Sequence, residues 1–153
     1  MTIIEALLAY LHFAAILTLV VFMTSRAALC RTEWFNAAVV RRLRRVDLIY
    51  QGAMAFVLVT GLARMAWGVK GLAWYAGQPL LWAKIALFTA IWLISLKATT
   101  RFVRWDRALA AGAGLPASSA IDATRRWVMI EAHLLLLLPL AAVFVARGMG
   151  VAD

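Results

Sequence analysis

Cysteine, proline, histidine and acidic residues are all scarce in this chain of 153 residues. With Cys30 as its one cysteine, the chain cannot form an intramolecular disulfide. There is no Cys-x-x-Cys-His motif, so covalent c-type haem attachment is also excluded. Charged residues make up 15% of the chain, against about 25% in an ordinary soluble domain. Seven acidic residues face sixteen lysines and arginines, a formal charge of +9. That excess suggests nucleic acid at first sight. The arginines, however, sit between apolar stretches rather than in a basic surface interleaved with exposed aromatics, and no nucleic-acid partner is expected.

What the chain has in quantity is apolar sequence, 65% of its residues, with a mean hydropathy of +0.88. Crossing a bilayer takes roughly 20 apolar residues, and four stretches qualify. The first runs from about Ile3 to Leu29 and the second from near Asp47 to about Trp67. The third starts at Pro79, a good first-turn residue, and ends near Lys97. The fourth begins before the membrane, where Ser119 and Asp122 resemble a capping box. It continues to about Arg147, with Gly148 and Gly150 as stop signals. The expected fold is all-α: an integral membrane four-helix antiparallel bundle, forming one domain over residues 1–153 in contact with the lipid bilayer. The start MTIIE has no cation and makes a poor signal-peptide opening, so the first stretch reads as a retained helix.

The connections are polar or short. Residues 30–46 read as a surface helix, 68–78 as an interfacial loop, and 107–118 as a flexible loop. Trp67, Trp74, Trp82, Trp105 and Trp127 mark the interfaces. Twelve of the sixteen cations flank the loops between spans one and two and between spans three and four. The positive-inside rule places those loops in the cytoplasm and both termini outside. The expected location is a bacterial inner membrane. Arg64, Lys70, Lys84 and Arg147 are the four cations left.

The only two histidines lie in different apolar stretches. His12 falls in Ala6–Ser25, which has no charged residue, and His133 in Trp127–Ala146, whose one formal charge is Glu131. An ionisable side chain at membrane depth marks a functional site by default, and one imidazole on each side of an iron is how a b-type haem is held. The expected cofactor is therefore haem b, bound without a covalent link between His12 and His133. Both imidazoles should point into a shared cavity, with His12 alone as the other ligation option. Arg64 and Lys84 lie near the outer helix ends, where cationic partners for the haem propionates are needed. Snorkelling to the interface is their alternative role. Two histidines with Met54 or Met129 would also suit copper. Glu131 and His133 project to nearly opposite helix faces, so Glu131 should meet a cation from another helix or from the interface. Glu5 and Asp47 read as residues of helix starts. Tyr50, Gln51, Met54 and Gly61 are candidates for the inner face of span two.

Three segments carry a resemblance: EALLAYLHFAAI, DLIYQGAMAFVLVTGLARM and PLLWAKIALF. Together they resemble a family of uncharacterised four-span bacterial membrane proteins known as a predicted membrane domain of unknown function. His12 and the Trp82-x-Lys84 segment are also similar to the HemJ-type protoporphyrinogen oxidases and to the copper-resistance D membrane proteins. That similarity implies a haem or active-site role for His12 and identifies Lys84 with the third-helix lysine. HemJ-type sequences tend to have a further histidine late in the third helix, and Ile91–Thr100 has none. The leading expectation is a haem-binding electron-transfer or oxidoreductase protein whose partner is a membrane quinone or a redox protein. Protoporphyrinogen oxidation, copper handling without catalysis, and histidines that only pack are the alternatives. A homo-oligomer stays open.

Overall fold

The computed structural model describes residues 3–68 and 71–147. They form six α-helices: α1 (Ile3–Leu29), α2 (Ala37–Trp67), α3 (Gly71–Ala76), α4 (Pro79–Ala110), α5 (Ser118–Leu135) and α6 (Leu137–Ala146). Three of the spans are α1, α2 and α4. The fourth is α5 and α6 together, and each of the four is long and apolar enough to cross a membrane. Lys70, Gly148 and Gly150 lie outside the described residues.

Side-chain contacts establish the antiparallel order. His12 meets Thr60 and Arg26 meets Asp47, so α1 and α2 run in opposite directions. Asp47 meets Thr99 and Gln51 meets Trp92, which opposes α2 to α4. Arg101 bonds Thr124 and Lys97 lies over Trp127, opposing α4 to α5. The result is an up-down-up-down bundle, an all-α membrane fold. The outward faces carry Leu7, Leu17, Val21, Leu93 and Leu140, all exposed; these are the surfaces that meet lipid.

Helix ends follow local chemistry. The side chain of Asn36 accepts from the N–H groups of Ala38 and Val39, satisfying two of the first-turn donors of α2. No glycine or proline interrupts the next fifteen residues, so the arginine run 41–45 belongs to α2 itself. The separate surface helix expected over 30–46 is replaced by a 3₁₀ turn at Thr32–Trp34 followed by the start of α2. Likewise α4 extends past Lys97 to Ala110. It ends in a left-handed turn at Gly112 (φ 77°), where Gly112 N–H bonds Leu109 O and Ala113 N–H bonds Ala108 O. This double bond pattern is a Schellman motif.

Two expected features differ. The capping box at Ser119 and Asp122 does not form, because α5 starts at Ser118 with Ala117 as its cap and no side-chain bond. The fourth span is also broken, with Leu136 N–H bonding back to His133 O. Pro139 explains the break, since it has no N–H to donate and its ring clashes with the carbonyl four residues earlier. Beyond the break α6 packs on α4 rather than α1.

The core lies toward the arginine-rich end. Leu43, Tyr50, Met54, Ile91, Phe102 and Val128 are fully buried there or at mid-depth. Trp105 belongs to this core, packed edge-on against Phe35 at 5.5 Å, and is not an interface marker. At the end that carries the termini, α3 and α6 contribute no buried residue among those described, and α1 contributes none before Ala15.

Candidate functional site

Two polar centres lie inside the bundle, one toward each end. The first is built around His12. Its Nδ1 lies 2.9 Å from Thr60 Oγ1, and that hydroxyl in turn donates to Phe56 O at 2.7 Å. A hydroxyl has one proton to give. A hydroxyl whose proton goes to Phe56 O accepts from the ring, the arrangement that puts the hydrogen on Nδ1. The His12 ring also bonds the backbone of Val57, one turn before Thr60 on α2. Gly61 lies beneath the ring, and a Cβ there would come within 3.3 Å of His12 Cε1. Both residues of α2 thus fix the imidazole, one by a bond and one by leaving space.

Arg64 lies one turn beyond Thr60 on α2, and Lys84 sits in the second turn of α4. Both charges act on the His12 ring, and Arg64 acts on Lys84. Lys84 is half-buried and Arg64 exposed. The structure therefore brings together three of the four residues singled out in the sequence: His12, Arg64 and Lys84.

His133 does not join them. It is exposed, and its Nδ1 donates to Met129 O of its own helix at 2.6 Å. It lines an open groove of about 540 Å³ whose residues, Arg125 to Leu134, all belong to α5, so the groove is one helix face and not an inter-helix cavity. The expected shared cavity between His12 and His133 is thereby corrected for a single chain. The reason lies two residues earlier. Positions i and i+2 of a helix are about 200° apart, and Glu131 takes the inward face, which turns His133 outward.

The second centre is the one that holds Glu131. Arg26, Asp47 and Glu131 are all fully buried. Arg26 Nη1 donates to Glu131 Oε1 at 3.1 Å, and Arg26 Nε lies 3.2 Å from Asp47 Oδ1 with its hydrogen not aimed at the oxygen. Tyr50 donates to the same Glu131 Oε1 at 2.5 Å, and the guanidinium lies over the Tyr50 ring at 4.2 Å. Thr99 donates to Asp47 Oδ1 at 3.1 Å, and Gln51 bridges Thr99, Ser95 and Trp92. All four spans contribute a polar group to this network.

Sequence reasoning missed most of it. Arg26 is one of the twelve cations of the topology signal yet is fully buried, and Asp47 is not at a helix start but the eleventh residue of α2, paired across the bundle. The usable signal was Glu131, an acid in an apolar stretch that needs a cation from another helix, which Arg26 supplies. Tyr50, Met54 and Gly61 do face inward as expected, and Gln51 is half-buried in the polar network.

Among the described residues no three His, Cys, Asp or Glu side chains come together as a metal-binding group. Comparison with curated proteins and with solved structures found no match. One family model does match, and it covers residues 4–150, nearly the whole chain. Its description, a predicted membrane protein, agrees with the four apolar spans, and the chain belongs to that family, Predicted membrane protein (DUF2214).

Proposed function

We propose that this membrane protein binds haem b at the terminus-bearing end of the bundle, with His12 as the ligand and Arg64 and Lys84 as partners of the two propionates. The supporting observation is the contact of His12 Nδ1 with Thr60 Oγ1 at 2.9 Å. With Nδ1 turned to Thr60, Nε2 is the ring nitrogen that would meet the iron. Metal-ligating histidines characteristically donate their other ring N–H to an oriented acceptor, which sets the ring and raises its basicity.

The residues around it suit the same group. Gly61 lets the His12 ring pack close against α2. Arg64 can bind a carboxylate with two parallel hydrogen bonds and Lys84 offers a point charge, so two cations balance two propionates. His133 has no part in this reading within one chain. When bound, haem supplies a reversible one-electron couple at its iron. Thr60 holds the His12 ring in register, and the apolar ends of α1 and α4 limit water at the ligand. The electron partner in this reading is a membrane quinone or a redox protein. The arginine-rich end faces the cytoplasm of a bacterial inner membrane, because twelve of sixteen cations flank the two loops there.

The test is an absorption spectrum of protein purified from haem-sufficient cells, followed by titration of the purified protein with hemin. The expected result is a Soret band with sharp reduced-state bands, lost in His12→Ala. A protein that carries no haem and takes up none, or one whose spectrum is unchanged in His12→Ala, overturns the reading.

A further inference from the structure

The polar network at the arginine-rich end carries a charge imbalance. Arg26 contributes one positive charge, and Asp47 and Glu131 contribute two negative ones when ionised, all fully buried. The fully ionised cluster would hold a net charge of −1 away from water. An uncompensated charge in such a place is strongly unfavourable. Two carboxylates that share one cation also disfavour each other's ionisation.

The hydrogen bonds show where a proton fits. Each carboxyl has one oxygen engaged and one free. Glu131 Oε1 accepts from Arg26 and Tyr50, and Asp47 Oδ1 accepts from Thr99 beside Arg26. Glu131 Oε2 and Asp47 Oδ2 are buried without a partner. Tyr50 uses its own proton to donate to Glu131, so the carboxyl pair is the acceptor of any further proton.

Among the described residues no second cation is fully buried. From α1 only Arg26 reaches the cluster. From α2 come Asp47 and Tyr50, with half-buried Arg44 acting on Asp47 from one turn away. From α4 comes the neutral Thr99, and the neighbouring Arg101 is bonded to Thr124 of α5. From α5 comes Glu131, on which Arg26, Tyr50 and Asp47 act.

We propose that Arg26, Asp47, Tyr50 and Glu131 form a proton-binding site, which holds one proton on its pair of carboxyl groups at neutral pH. The proton comes from the aqueous phase, and one carboxylate becomes one carboxylic acid. The two groups titrate as a unit, so the proton belongs to the pair. This inference is independent of haem.

Infrared spectroscopy of the full chain in phosphatidylcholine vesicles tests it. At neutral pH the spectrum should contain the carbonyl stretch of one protonated carboxylic acid per chain, shifted down in D2O. The band should be lost in Asp47→Asn or in Glu131→Gln. Asp47 and Glu131 are the only fully buried acids among the described residues, and Glu5→Gln, at the far end of α1, should leave the band in place. Absence of the band at neutral pH, or a band that survives in both Asp47→Asn and Glu131→Gln, overturns the proposal.

Discussion

Arg26 Nη1 and Glu131 Oε1 stand 3.1 Å apart across 105 positions of sequence, both fully buried. This contact joins the first span to the fourth. With Asp47 and Thr99 it links every span of the bundle at one level. Such a cluster acts as a register lock: sliding α1, α2 or α5 by a turn would strand at least one charge in an apolar surrounding.

The first prediction concerns that lock. Arg26→Met removes the shared cation and leaves the two carboxyl groups without a counter-charge. Breaking a buried pair by removing one partner costs about 3–5 kcal/mol. Thermal unfolding in detergent should show a large loss of Tm for Arg26→Met. Arg41→Met, at an exposed position of the same arginine-rich end, should leave Tm nearly unchanged. Equal Tm values for the two variants would mean that Arg26 is not the residue that ties the spans together.

The second prediction concerns the orientation of His12. Thr60→Val keeps the shape of the side chain and removes the oxygen that accepts from Nδ1. A neutral hydrogen bond contributes about 1 kcal/mol to stability, so the fold should persist. Loss of an outer-shell partner typically weakens metal binding by about 10–100-fold. Titration of the purified variant with hemin should show a drop in affinity of that order with little change in Tm. Unchanged hemin affinity would remove Thr60 from the site.

Much of this organisation was legible in the sequence because a bilayer imposes simple rules. The four spans follow from apolar run length. The meeting of His12, Arg64 and Lys84 follows from helix depth, since all three sit near the same ends of their helices. His133 was misplaced because Glu131 and His133 compete for one inward face. A carboxylate facing lipid is far more costly than a neutral imidazole that can bond its own helix backbone, so the acid wins that competition. Asp47 is not a helix-start residue because the arginine run before it belongs to α2 itself. Helix continuity depends on breakers, and residues 37–51 contain neither glycine nor proline. The pairing of Arg26 with two acids is a tertiary fact, and no local pattern distinguishes a buried arginine from the topology-setting ones beside it.

Two glycines of α2 give the third prediction. A Cβ at Gly61 would press on His12 Cε1 at 3.3 Å, whereas a Cβ at Gly52 would meet nothing within 4 Å. Replacing a helix-interior glycine by alanine gains up to about 1 kcal/mol in helix propensity. Gly52→Ala should therefore raise Tm slightly and leave hemin binding alone. Gly61→Ala should alter hemin affinity or the haem midpoint potential, because the ring has to move by a few tenths of an ångström. Identical hemin affinity and potential in both variants would show that the space under His12 plays no part in binding.

The last prediction concerns sidedness, and Cys30 makes it accessible. Cys30 is buried, and burial pushes its thiol up to about 11. A thiol with a raised value is protonated below it, and the thiolate is the reactive form. At neutral pH Cys30 should therefore react slowly with a membrane-impermeant maleimide, even with the membrane opened by detergent. Raising the pH toward that value should speed the reaction. This leaves the wild-type chain as a silent background for cysteines introduced elsewhere. Gly112→Cys lies in the exposed loop between α4 and α5, and Trp67→Cys lies at the opposite end, where α2 finishes exposed. If the arginine-rich loops face the cytoplasm, intact cells should be labelled at Trp67→Cys, and Gly112→Cys should be labelled only after permeabilisation. Labelling of Gly112→Cys in intact cells would reverse the orientation and would place the His12 site at the cytoplasmic face.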